Sequence, residues 1–148
     1  MNVLVLGVGN YLLKDEGIGI HAIRALEAEE LPKGVALLDG GTGGLYLLHW
    51  LQGYERIVMI DATLDEYPPG TVRRIRPRYA ADFPPALSAH EIGLRDMIAA
   101  MTLVGGALPD IRLIVVSVAD FQEIGTELSP MVARAIPEVV RTVREEIC

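Results

Sequence analysis

The chain alternates short, wholly apolar runs with longer amphipathic ones. Asn2 to Leu6 is a continuous β-rich apolar stretch closed by Gly7, the pattern of a strand covered on both faces in a parallel sheet. After a glycine-bearing loop, Glu16 to Glu29 carries apolar residues at Ile18, Ile20, Ala22, Ile23 and Leu26, which predicts an amphipathic helix with Asp15 as its N-cap. Val35 to Leu38 predicts a second strand ending at Asp39-Gly40-Gly41-Thr42, with a helix over Leu45 to Leu51. Arg56 to Ile60 predicts a third strand ending at Asp61. Thr71 to Arg76 is more polar, and the nearby Pro68, Pro69 and Pro77 place it at a sheet edge. Ser88-Ala89-His90-Glu91 has the form of a capping box and opens a helix to about Met101. Ile111 to Val118 reads as the last core strand. Ser129-Pro130 supplies a cap followed by proline in the first turn. Val132, Ile136, Val139, Val140, Val143 and Ile147 then mark a terminal helix that Pro137 kinks or restarts.

Strands that alternate with helices predict an α/β fold, a three-layer α/β/α sandwich with a mostly parallel twisted sheet. Antiparallel pairing is expected only at the arginine-rich edge. A length of 148 residues with 51% hydrophobic content supports one core and not two, so residues 1–148 are read as a single domain.

Charge and cysteine content narrow the function classes. The net charge of -7, from 20 acidic and 13 basic side chains, offers no footprint for nucleic acid or an anionic membrane surface. The longest mainly apolar stretch, Met97 to Leu108, is shorter than the roughly 20 residues that span a bilayer. The start MNVLVLGVGN has no basic leader. The only cysteine is Cys148, so no intrachain disulfide can form, and a reducing cytoplasm is the expected location. A monomer is expected. Arg74, Arg76 and Arg78 alternate along one face of the edge strand, with Arg73 on the other. That pattern suits a charged edge that resists unwanted pairing, or a surface that docks an acidic or C-terminal segment of a partner.

The polar residues that could carry chemistry fall at strand ends and helix starts, where open α/β sheets bind ligands. Glu16 opens the helix after the first strand, Asp39 ends the second strand, Asp61 ends the third, and His90 sits in the first turn of a capped helix. Two carboxylates and an imidazole converging on one edge would make an O,O,N site suited to a borderline divalent metal such as nickel or zinc. Each residue also has a plain structural reading. An acid in a helix's first turn is favoured by the macrodipole alone, and Asp61 could simply turn the chain through a side-chain hydrogen bond. His90 is odder, because a histidine gains nothing from the positive end of a helix. His21 and His49 lie within helices and read as structural. Gly7-Val8-Gly9 lacks the third glycine of a dinucleotide fingerprint, since that position holds Leu12. No nucleophile elbow surrounds Ser88, Ser117 or Ser129.

The segment GVGNYLLKDEGIG, Gly7 to Gly19, resembles the N-terminal signature of hydrogenase maturation endopeptidases. DGGTGG from Asp39 to Gly44 is similar to that family's second motif, VMIDA around Asp61 to its third, and SAHEIGL around His90 to its fourth. FQEIGTELSPMV, Phe121 to Val132, is similar to its tail region. The resemblance runs in order along nearly the whole chain. It implies an endopeptidase that removes the C-terminal extension of a [NiFe]-hydrogenase large-subunit precursor after nickel insertion. It also implies Ni2+, carried by the precursor, held by Glu16, Asp61 and His90, the same residues that would serve catalysis. Asp39, with Gly40, Gly41 and Thr42, is implied in substrate binding. One stretch departs from the family pattern: Ser117-Val118-Ala119-Asp120 replaces the usual Gly-Ile-acid/Gln-Pro, on a surface expected to be partner-specific. The alternative from another class is a non-catalytic nickel-sensing chaperone or checkpoint protein for hydrogenase assembly, which would use the same site without cutting.

Overall fold

All six residues of strand β1, Val3–Val8, are buried, because β1 has a strand on each side and apolar neighbours on both faces. A computed structural model of the protein describes residues 1–42, 48–77, 110–119 and 123–147. Along these, β1 leads into a 3-10 turn (Lys14–Gly17) and helix α1 (Ile18–Glu27), then β2 (Val35–Gly41), α2 (Leu48–Leu51), β3 (Arg56–Leu64) and β4 (Val72–Ile75). Strand β5 (Asp110–Val118) and helices α3 (Pro130–Ala133) and α4 (Ile136–Ile147) follow. The five strands form one sheet in the order β2-β1-β3-β5-β4. The pairs β1–β2, β1–β3 and β3–β5 are parallel, and only β4 runs antiparallel, at the edge that its prolines indicate.

The sheet separates two apolar layers, set by the two-residue alternation of each strand. Val3, Val5, Val58, Ile60, Ile114 and Val116 face α1 and α4. On the opposite face Leu4, Leu6 and Val8 meet Ile57, Met59, Ile111, Leu113 and Val115, with Leu51 of α2 packed against them. Each fully buried leucine, isoleucine or methionine here contributes about 1.5–3 kcal/mol.

The approach of α1 to the sheet is governed by glycine. A Cβ on Gly7 would lie 2.3 Å from the carbonyl oxygen of Gly19, and one on Gly19 would lie 2.5 Å from the carbonyl oxygens of both Ile60 and Val8. The first turn of α1 therefore rests directly on the backbone of β1 and β3, which no larger residue permits.

Several boundaries differ from the sequence expectation. Helix α1 starts at Ile18, and Glu16 lies in the preceding 3-10 turn. Asp15 is not the N-cap; Gly17 occupies that position without a side-chain bond, because both Asp15 oxygens are engaged by Ser129. Strand β2 continues through Asp39 to Gly41, with a register irregularity opposite Gly7 and Val8. Strand β3 continues past Asp61 to Leu64, because its backbone stays paired with β5 as far as Val118. The terminal helical region is two helices, and Pro137 is the second residue of α4, so the chain restarts there. Ser129 precedes α3 as expected, with Pro130 first in the helix, but its hydroxyl caps nothing in α3. The helix expected from Ser88, with His90, lies outside the described residues, as do Leu45, Arg78, Met97 to Leu108 and Cys148. Among the described residues no helix is long and apolar enough to cross a membrane.

Candidate functional site

The strand order creates a divergence at the carboxyl ends of β1 and β3. From β1 the chain crosses through α1 to β2 on one side, whereas β3 lies on the other side of β1. In open α/β sheets this switch point is where ligands bind. Glu16 sits in the turn that follows β1, and Asp61 sits on β3 itself. The turn packs against β3, and the close approach of Gly19 to Ile60 O anchors the start of α1 one residue before Asp61.

Both carboxylates are withdrawn from solvent, Glu16 at 1% exposure and Asp61 at 0%. The amide of Glu16 donates to the carbonyl of Leu13 at 3.1 Å. Asp61 Oδ1 accepts the amide of Ala62 at 2.8 Å, which fixes the carboxylate direction. Strand alternation puts Asp61 on the face of Ile57 and Met59. Along that face the register rungs run Ile57 beside Ile111, Met59 beside Leu113, Asp61 beside Val115 and Thr63 beside Ser117. The face thus changes from apolar to polar at Asp61, while Thr63 and Ser117 remain buried at 1% and 0% exposure. Burying a carboxylate is costly unless it is hydrogen-bonded or paired.

The donor chemistry suits a divalent cation, since carboxylate oxygens with an imidazole form a mixed O,N ligand set. Among the described residues no group of three histidine, cysteine, aspartate or glutamate side chains comes together to hold a metal ion. The third expected donor, His90, lies outside those residues.

The glycine-rich motif lies at the carboxyl end of β2, beside the end of β1. Asp39 is exposed, and its Oδ1 accepts the amide of Gly41 at 3.0 Å. Gly41 adopts φ 49, a left-handed conformation that favours glycine. The amide of Gly9 donates to Gly41 O at 2.9 Å, tying this loop to the end of β1. Thr42 follows, exposed. On the other side, an open cleft of about 770 Å³ is lined by Lys14, Asp15, Glu123, Ser129, Met131 and Arg134 among others. It runs beside the turn that carries Glu16.

The remaining histidines have structural surroundings. His21 Nε2 lies 3.0 Å from Thr126 O, its ring is 5.1 Å from that of Tyr11, and burial pushes its pKa below the usual value against the opposing backbone hydrogen bond. His49 is exposed and meets Trp50 edge-on. The arginines in and just after β4 are likewise engaged: Arg74 with Glu145 and Glu146, Arg76 with Asp110, and Arg73 with Asp65.

Two features escape the sequence pattern. Asp15 receives two hydrogen bonds from Ser129, a partner 114 positions away, and no local signal announces a contact at that range. The Ser117 hydroxyl is buried and has no hydrogen-bond partner among the described residues, which its place at the start of the Ser117-Val118-Ala119-Asp120 stretch does not announce. Neither serine is paired with a histidine among the described residues.

Comparison with known proteins agrees with this geometry. A family model described as hydrogenase maturation protease matches residues 20–146. The hydrogenase expression/formation protein HupD of Rhodobacter capsulatus is 40% identical over 149 residues, covering 96% of this chain and 71% of the relative. The hydrogenase 2 maturation protease of Escherichia coli is 35% identical over 152 residues, covering 98% of this chain and 92% of that protein. Among solved structures, the hydrogenase maturating endopeptidase HybD from E. coli superposes with a TM-score of 0.88 at 34% identity, covering 99% of this chain and 92% of the other. The [NiFe] hydrogenase maturation protease HybD from Thermococcus kodakarensis gives a TM-score of 0.82 at 31% identity, covering 99% of each chain. With matches of this extent in both sequence and fold, the chain belongs to the hydrogenase maturation protease family.

Proposed function

We propose that this protein is the endopeptidase that removes the C-terminal extension of a [NiFe]-hydrogenase large-subunit precursor once nickel has been inserted. The observation that carries the reading is the pair of buried carboxylates, Glu16 and Asp61, at the switch point of a fold shared with maturation proteases. The nickel belongs to the precursor, and Glu16, Asp61 and His90 are the residues that recognise it, in their deprotonated forms. Bound there, a divalent cation supplies Lewis-acid polarisation of a peptide carbonyl. The precursor is held by Asp39, Gly40, Gly41 and Thr42 on one side of the crevice. Asp39, exposed and bonded to Gly41 N, suits orientation of a peptide better than proton transfer in a dry site.

Hydrolysis moves one proton off the attacking water and delivers one to the leaving amine. In this reading Glu16 and Asp61 are the carboxylates that accept the first and return the second. The amide of Ala62 donates to Asp61 Oδ1, which helps set the direction of the carboxylate. The reaction is placed in the cytoplasm with the protein as a monomer, in keeping with a chain whose single cysteine forms no intrachain disulfide.

The test is mass spectrometry of a nickel-loaded precursor incubated with the wild type and with Asp61→Asn and His90→Ala. The wild type should release a C-terminal peptide, and each variant should lose most of that activity. Full-rate cleavage by either variant contradicts the assigned roles.

A further inference from the structure

We propose that Asp15 and Ser129 form a positioning pair that holds the Glu16 carboxylate in its working direction. The inference rests on the endopeptidase reading and adds two residues to it. Asp15 is 8% exposed. Its Oδ1 accepts the Ser129 amide at 2.7 Å and its Oδ2 accepts the Ser129 hydroxyl at 2.7 Å. Charge-assisted bonds of this length are about twice as strong as neutral ones, and engaging both oxygens of one carboxylate fixes its plane as well as its position.

Asp15 and Glu16 are consecutive in a 3-10 turn. Such a turn has about three residues per revolution, so neighbouring side chains point roughly 120° apart. Fixing Asp15 on Ser129 therefore fixes where Glu16 points. Glu16 is turned into the molecule, at 1% exposure.

The turn does not hold this shape by local preference. Lys14 has φ 46, a left-handed conformation that is rare outside glycine and persists only when surroundings over-determine it. Those surroundings are the segment after β5. The Lys14 amide donates to Gly125 O at 2.9 Å, and the Gly125 amide donates to Leu12 O at 2.7 Å. Lys14 Nζ lies 3.2 Å from Glu123. Of these ties to the segment after β5, the Asp15–Ser129 contact is the one made by the side chain next to Glu16.

The experiment uses the full chain with Ser129→Ala and Ser129→Thr. The alanine variant removes only the Oγ bond and keeps the Ser129 amide bond, and the threonine variant restores a hydroxyl. Steady-state cleavage of a nickel-loaded large-subunit precursor should show kcat lowered at least about 10-fold in Ser129→Ala, with KM within roughly 2-fold, because small misplacements of reacting groups are costly. Amide exchange followed by NMR should be about 10-fold faster at Glu16 and unchanged at Ala22 and Ile23. Ser129→Thr should restore both. Asp15→Asn should shift both readouts in the same direction as Ser129→Ala. Wild-type kcat in Ser129→Ala overturns the proposal, and so does a loss of activity accompanied by faster exchange throughout α1. A wild type that fails to cut the precursor overturns the endopeptidase reading and the positioning role with it. A wild type that cuts beside an equally active Ser129→Ala overturns the positioning role alone.

Discussion

The two ends of the sheet treat acidic side chains in opposite ways. At the amino end, Arg56 Nε donates to Asp110 Oδ2 at 3.0 Å, and Arg112 grips both Asp110 oxygens at 2.9 Å. Arg112 also reaches Glu146 Oε2 at 2.7 Å, and Arg74 reaches Glu146 Oε1 at 3.2 Å. Of these acids Asp110 remains partly open, with 26% side-chain exposure, and Glu146 is buried, with 11%. At the carboxyl end, Glu16 and Asp61 are 1% and 0% exposed, and the bond that orients Asp61 comes from a backbone amide. Arginine-met acids at the rim tie β3, β4, β5 and α4 together. Glu16 and Asp61 instead lie at the switch point of the sheet, where open α/β folds bind ligands.

Substitutions at the two ends should therefore separate activity from stability. The largest effect is expected at the carboxyl end: Glu16→Gln should lower precursor cleavage on the order of 10²–10⁴-fold, while Asp110→Asn leaves it within roughly 2-fold. Comparable losses from both variants, measured as kcat/KM, would erase the distinction. Next in size is Gly19→Ala, whose Cβ would stand 2.5 Å from two backbone oxygens. We expect it to lower the unfolding free energy by roughly 3 kcal/mol in urea titration. An unchanged midpoint would show that α1 can lift from the sheet freely.

Arg112→Ala strips a partner from both Asp110 and Glu146 and should cost about 1–2 kcal/mol with cleavage intact; a fall in kcat there would tie the amino end to the chemistry. The smallest effect concerns acid. The hydrogen bond from Arg112, and then that from Arg56, hold the Asp110 carboxyl below its ordinary value against the opposing effect of burial. A depressed folded pKa stabilises above the unfolded value, and that contribution is lost as pH falls through the folded pKa. Wild type should thus lose more of its melting temperature than Asp110→Asn between neutral pH and about pH 3. Parallel acid profiles would remove Asp110 from the account.

The parallel core was legible because β1, β3 and β5 are covered on both faces and so carry apolar runs, Val3 to Leu6, Ile57 to Ile60 and Leu113 to Val116. The edge position of β4 was legible from its prolines. The boundaries were harder. Asp61 looked like a strand end because aspartate favours turns, but its Oδ1 bonds to Ala62 N while the backbone keeps its ladder with β5. Asp15 looked like an N-cap because it precedes an amphipathic run, and only the folded chain brings Ser129 to it. For the site, the rule that ligands gather at carboxyl ends pointed to Glu16 and Asp61, and the structure places one in the turn after β1 and the other on β3. The contribution of His90 rests on the motif around it, because its position falls outside the described residues.

The most direct test of the central claim is mass spectrometry of a cognate large-subunit precursor, nickel-loaded and nickel-free, incubated with the wild-type protein. Loss of a C-terminal peptide from the loaded form alone is the predicted result. Cleavage of both forms alike would contradict nickel recognition, and tight binding of the loaded form without cleavage would contradict the endopeptidase reading in favour of a checkpoint protein.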